Sequence, residues 1–217
     1  MRTTDAPARR TPGRPPSTTH RDIERVAVAL FASKGFDQTT VEDIAAAAGI
    51  GRRTLFRYFP SKNDIVWGDF DGLLDRMREH LRASPPQEPL LEALRRAVIA
   101  TNDYHAAEIP EFRTRLELIT TVPTLQSHSY LRYADWRAVV AEFAAERLGQ
   151  APEHLMPQAI AYAALGTALA AFRRWVQCEG TDVAEHLDLA LGQLAAGFAG
   201  AGGVREPRAR RRPARAR

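Results

Sequence analysis

Residues 39–62 read TTVEDIAAAAGIGRRTLFRYFPSK, and this stretch limits the fold more than any other. Two short apolar segments, one carrying Val41, Ile44, Ala45 and Ala48 and the next Leu55, Phe56 and Phe59, are joined only by Ala-Gly-Ile-Gly. So short a connection at helical periodicity reads as a tight turn between two helices. Thr39 with Glu42 three residues on is a candidate capping box for the first, and Pro60 stops the second, because a residue before proline avoids helical angles. Upstream, Ile23, Val26, Ala27, Leu30 and Phe31 recur at i, i+3, i+4, i+7 and i+8 and end at Gly35. Three short helices punctuated by glycines make a helix-turn-helix unit.

The remainder also follows a helical period, with no alternating segment bounded by turn residues. Ser61 is placed to cap a fourth helix over 61–83, and further helices are expected near 90–107, 109–119, 127–148, 153–178 and 182–199. The expected fold class is all-α with about nine helices. A basic arm (1–16) and an Arg-rich tail (203–217), both of low apolar content, are expected to be disordered. Between them lie a helix-turn-helix domain (17–62) and a larger helical body (63–202). Charge follows the same division: residues 1–62 carry +5, residues 63–202 carry −7, and residues 203–217 carry +6. A basic head and tail around an acidic body point to a polyanion at the ends. The longest apolar run, 159–172, stops at Arg173-Arg174, short of the ~20 residues that span a bilayer. With one cysteine, Cys178, and no signal-like N-terminus, the expectation is a cytoplasmic protein without membrane association.

On the third helix, 100° per residue puts Leu55, Phe56 and Phe59 in one arc, to pack on Ile44, Ala45 and Ile23. Arg53, Thr54, Arg57 and Tyr58 fall on the other arc, and Arg52 at the helix start reaches outward. Arginine suits DNA because its guanidinium donates two hydrogen bonds to guanine or to phosphate. Thr40 and Lys62, at the starts of the second and fourth helices, are placed for the phosphate backbone, and Arg14 for an adjacent minor groove.

Residues 35–65, through Gly35-Phe36, Thr39-Thr40, Ile44-Ala45, Ala48-Gly49-Ile50, Thr54-Leu55-Phe56, Tyr58-Phe59 and Ser61-Lys62, resemble the DNA-binding domain of the TetR family of bacterial repressors. Gly51 and Arg53 depart from the residues common at those positions, which leaves the base preference to Arg52 and Arg53. RYFPSKNDIVWGDFD together with the Arg-rich arm is similar to regulators found with mycofactocin biosynthesis clusters. The resemblance implies a repressor that binds a palindromic DNA operator as a homodimer and is released by a small-molecule effector. It makes residues 63–202 a ligand-binding and dimerisation domain and places the dimer seam on the last two helices, where Val183, Leu187, Ala190, Leu191, Leu194 and Phe198 mark one face.

Bulky side chains of the middle helices, Tyr104, Phe112, Leu116, Ile119, Trp136, Val140, Phe143, Tyr162 and Phe172, either line an effector pocket or fill a core. For this branch the implied effector is a long-chain acyl-CoA, its phosphates meeting Arg113, Arg115, Arg173 or Arg174 at the mouth. No cofactor, metal site or catalytic residue is expected: there is no HExxH spacing, nucleophile elbow or Gly-rich phosphate loop. A non-specific, architectural nucleic-acid-binding protein working through its basic tails is the alternative.

Overall fold

The computed structural model describes residues 18–197, so the arm, the tail, Arg14 and Phe198 lie outside the described residues. Those residues form ten α-helices and no strand: α1 (His20–Lys34), α2 (Val41–Ala47), α3 (Arg52–Tyr58), α4 (Lys62–Trp67), α5 (Phe70–Arg82), α6 (Leu90–Thr101), α7 (Ile109–Thr121), α8 (Pro123–Leu148), α9 (Leu155–Gln177) and α10 (Val183–Ala195).

Local chemistry explains most boundaries. Thr19 caps α1 and Thr40 caps α2, each in a complete capping box, with Asp22 and Asp43 returning the bond. The α2 cap is therefore Thr40 with Asp43, and not Thr39 with Glu42. Thr39 is buried instead, its hydroxyl donating to the Gly35 carbonyl at 2.7 Å. Pro123 opens α8 at its first turn, where a missing N–H costs nothing, so the helix starts four residues earlier than 127. The expected helix over 61–83 is two helices: Gly68 sits at φ +59°, ψ −143°, outside the helical region, and Asp69 starts α5 by accepting from the Gly72 amide at 3.1 Å.

Two cores result. The head core packs Ile23, Ala27, Phe31, Phe36, Ile44, Leu55, Phe59, Ile65 and Val66 together. Ile119 of α7 and Leu125 of α8 also enter it, so the body is keyed into the head. The larger body core centres on Met77, Leu94, Val140, Leu187 and Trp175. There α8 and α10 both pack on α9, and α10 also lies on α6. By length and hydropathy (mean 1.4) α9 alone among the described helices is long and apolar enough to cross a membrane. One side of it packs into the body, with Ala161, Ala164, Leu165, Ala168, Ala171 and Trp175 buried against its neighbours, and the other side is exposed.

Candidate DNA-binding face and effector cavity

The head presents one side of α3 to solvent. Arg52, Arg53 and Arg57 are exposed, and Thr54 and Tyr58 are half-buried. Arg52 pairs with Glu42 of α2 at 2.8 Å, an exposed ion pair across the turn of the kind that contributes little stability. Among the described residues Arg53 and Arg57 have no carboxylate partner; the Arg57 guanidinium lies 5.6 Å from the centre of the Tyr58 ring. One expectation is corrected. Leu55 and Phe59 are buried, but Phe56 is 41% exposed and lies beneath the Arg52 guanidinium at 5.5 Å. Positions 52 and 56 are one turn apart, so Phe56 shares the arginine side and leaves the packing to its neighbours.

Two residues grouped with the DNA contacts are engaged by the head itself. The Lys62 ammonium donates to the Phe36 and Thr39 carbonyls at 2.9 and 3.0 Å and lies 4.2 Å from the Phe36 ring centre. Burial holds its pKa below the usual lysine value. The Tyr58 hydroxyl donates to the Thr18 carbonyl at 3.1 Å, fastening the start of α1 to the end of α3. Thr40 stays exposed at the start of α2.

Behind the head, a cavity of about 870 Å³ opens between α1 and the body. Of the residues expected at a ligand, Tyr104, Phe112, Leu116, Ile119, Trp136 and Phe172 line it. Tyr104 stacks on Phe112 with ring centres 4.1 Å apart, and burial raises the phenol above its ordinary value. Three others lie elsewhere. Val140 is fully buried core, Phe143 is core beneath Arg147, and Tyr162 is 56% exposed on the outer side of α9. Arg113 is also not a mouth residue: it donates to the Trp175, Val176 and Cys178 carbonyls at the end of α9 and lies 4.0 Å from the centre of the Trp175 ring. Such a cation at helix-terminal carbonyls offsets their partial negative charge. Arg173 and Arg174 are exposed and do not line the cavity.

Several wall residues escape a reading by periodicity. Trp67 and Phe70 flank the Gly68 break, and Tyr133 meets Trp67 edge-on at 5.7 Å. The polar part of the wall holds Arg21, Arg76 and Arg115 beside Glu24, Asp69, Asp103, Glu108 and Glu111. Glu24 is 8% exposed, an acid on the same side of α1 as Ala27, Val28 and Phe31. Its place ahead of that apolar spacing was the signal available in the sequence. Arg115 donates to Glu24 at 2.8 Å and to Glu111 at 2.5 Å. Arg21 pairs with Glu108, which lowers that carboxyl below its usual range. On the far side of α4, Asp64 accepts from Ser61, Arg132 and His128. Burial alone raises its carboxyl, and these donors outweigh it and hold the pKa low.

The face of α10 expected at a dimer seam is turned inward: Val183, Leu187 and Leu191 are buried against α6 and α9. Outward-facing apolar surface lies on α9, through Leu155, Met156 and Tyr162 with the small residues Ala159, Ala163, Gly166 and Ala170. Tyr130 of α8 joins it through Arg137, which lies over the rings of Tyr130 and Tyr162.

Comparison with known proteins matches residues 23–66 to the family described as bacterial regulatory proteins, tetR family, and residues 88–199 to the MftR C-terminal domain. The chain is 42% identical over 186 residues, 86% of its own length and 94% of the relative's, to a candidate mycofactocin biosynthesis transcriptional regulator, MftR, of Mycobacterium tuberculosis. Solved structures share the fold. A TetR-family repressor from Thermus thermophilus, FadR in complex with lauroyl-CoA, superposes with TM-score 0.55 at 23% identity, over 87% of this chain and 97% of that one. SmeT, repressor of the Stenotrophomonas maltophilia multidrug efflux pump SmeDEF, gives 0.56 at 24% identity, over 83% and 90%.

Proposed function

The chain belongs to the TetR family of bacterial transcriptional regulators, with an MftR-type C-terminal domain, and from that premise we propose that it is a ligand-responsive repressor of genes of the mycofactocin system. It acts in the cytoplasm as a homodimer on a near-palindromic operator, with α3 of each protomer in a major groove and half-sites about 34 Å apart. Arg52, Arg53, Thr54 and Arg57 meet the DNA, with Arg52 and Arg53 reading bases and Thr40 at the phosphates. Lys62 and Tyr58 serve the same face indirectly by fixing the turn ahead of α2 and the end of α3. The second protomer covers the outward apolar stripe of α9 with Tyr130 of α8, and sedimentation of the full chain as a monomer at micromolar concentration would contradict this arrangement.

The observation that carries the reading is the composition of the cavity wall. His20, Arg21 and Glu24 of the DNA-binding head share one cavity with Phe112, Trp136, Leu169 and Phe172 of the body, so an occupant touches both. Differential contact of that kind is what lets a ligand shift a conformational equilibrium. The apolar wall suits an acyl chain, and the lauroyl-CoA bound to the Thermus relative supports a long-chain acyl-CoA as effector. Its phosphates would be met by Arg21, Arg76 and Arg115. A coupling of about 1–3 kcal/mol weakens operator binding some 5- to 150-fold.

Trp67 and Trp136 both line the cavity and so report its occupancy. Titration with oleoyl-CoA is expected to change tryptophan fluorescence to saturation at micromolar ligand, whereas coenzyme A alone does not. A flat response to the thioester discards the effector and leaves the DNA-binding reading standing.

A further inference from the structure

Three side chains form an unbroken polar chain from the cavity wall to the end of the recognition helix. Arg115 of α7 donates through Nη2 to Glu24 Oε2 at 2.8 Å. Glu24 Oε1 lies 2.9 Å from His20 Nδ1, and His20 Nε2 donates to the Tyr58 carbonyl, 3.2 Å away at the last residue of α3. Both ring nitrogens of His20 face acceptors, so both donate together only when the ring carries two protons. The His20 ring is also held 4.0 Å from the centre of Phe59, which is buried under α3.

All three residues line the cavity, and the Arg115–Glu24 pair is close to fully buried, with side chains 14% and 10% exposed. A buried pair of this kind is costly to break from one side, because the remaining charge is left without a partner. The Gly68 break is closed on the same pair: a Cβ there would overlap the Arg115 guanidinium and lie 3.0 Å from Glu24 Oε2. The pair therefore joins α1, α7 and the α4–α5 break at one point.

We infer that this chain is the switch through which the effector acts, and that it selects an amphiphile with an anionic head. The inference rests on the effector reading above only in naming the occupant. An anionic oxygen group at the polar end of the cavity competes with Glu24 for the Arg115 guanidinium, which holds carboxylates and phosphates in the same bidentate geometry. Glu24 then loses its cation, its bond to His20 is rearranged, and the Tyr58 carbonyl loses its donor. An uncharged occupant of equal length fills the apolar part and leaves the pair intact, since it offers nothing that favours the broken state. Phosphates of an acyl thioester and the carboxylate of a free fatty acid share the required chemistry.

Hydrogen exchange of the backbone amides of residues 51–59, measured on the full chain, tests the switch without knowledge of the operator. Glu24→Gln and His20→Asn are expected to raise exchange of these amides by about tenfold without any ligand, with α9 unchanged. Arg96→Gln, which breaks the remote Arg96–Glu88 pair, is expected to match the wild type. In the wild type, oleoyl-CoA and oleate each reproduce the effect, and oleyl alcohol does not. Wild-type protection of 51–59 in both variants would overturn the switch. So would equal loosening by oleyl alcohol. Should Glu24→Gln lose its cooperative melting transition, His20→Asn at the more exposed link decides. If neither anionic amphiphile perturbs the wild-type tryptophans, the effector reading fails by itself, and the ligand-free variants still decide the switch.

Discussion

Two arginine-bearing segments, RRTLFRY in α3 and FRTRLEL in α7, are alike in composition and opposite in fate. In α3 the guanidinium groups point away from the core, and among the described residues Arg53 and Arg57 meet no carboxylate. In α7 both are engaged, Arg113 on three carbonyls at the end of α9 and Arg115 on Glu24 and Glu111. The difference comes from the neighbours. The helix before α3 is short and ends in a glycine turn, so nothing packs over the arginine side. The helices around α7 bring carboxylates and bare carbonyl groups to within hydrogen-bond reach. A cation left unpaired by its own protein is available to a polyanion, whereas one already paired serves the fold or responds to competition.

The largest effect expected from this contrast lies on the inner side of α3. Leu55→Ala empties a position only 1% exposed in the small head core and is expected to cost about 2–5 kcal/mol in denaturant unfolding. Phe56→Ala, one residue on, is expected to stay within about 0.5 kcal/mol, as exposed sites do. Equal losses at the two positions would break the assignment of sides.

Next in size are the two arginine substitutions, which sharpen the comparison by failing in opposite assays. Arg53→Ala is expected to lower operator affinity by about 1–3 kcal/mol and to relax base preference while the melting curve is unchanged. A uniform loss on all duplexes would instead make Arg53 a phosphate contact. Arg113→Ala is expected to cost about 1.5–3 kcal/mol of stability, the range for hydrogen bonds to a charged group, with DNA affinity retained.

The smallest effect is confined to acid. Hydrogen bonds from Lys34 and Thr40 hold the Asp43 carboxyl at about 2, below its ordinary 3.8. A carboxyl depressed by folding stabilises the head above its unfolded pKa, and that contribution is lost as pH falls through the folded one. The melting-temperature gap between wild type and Asp43→Asn should therefore be full at pH 6 and close between pH 4 and 2. A gap that is constant with pH would remove Asp43 from the α2 cap.

The head was readable in the sequence because its signals are local: a glycine turn and a proline stop each act within a few residues. Adjacent threonines still put the α2 cap one residue off, at Thr39 in place of Thr40. Even there periodicity failed at Phe56, since a residue at the border between arcs is assigned only by what packs on it. The body was readable as helices but not as a site. Periodicity marks Val140, Phe143 and Phe172 alike as apolar, yet only Phe172 faces the cavity, because core and cavity differ in what lies opposite and not in the helix itself. The helix expected from 127 begins at Pro123, and the Gly68 break vanished inside a long helical pattern. The Arg115–Glu24–His20 chain joins positions 91 and 4 residues apart, so its longer link carries no local signature.

The most direct test of the account is a fluorescence-anisotropy titration onto DNA from upstream of the protein's own gene, beside a scrambled duplex, with and without oleoyl-CoA. Tight binding to the native duplex alone, lost when the thioester is added, is the expected result. Equal binding of both duplexes, with a steep fall in salt and no response to the thioester, would contradict it and favour a non-specific nucleic-acid-binding protein.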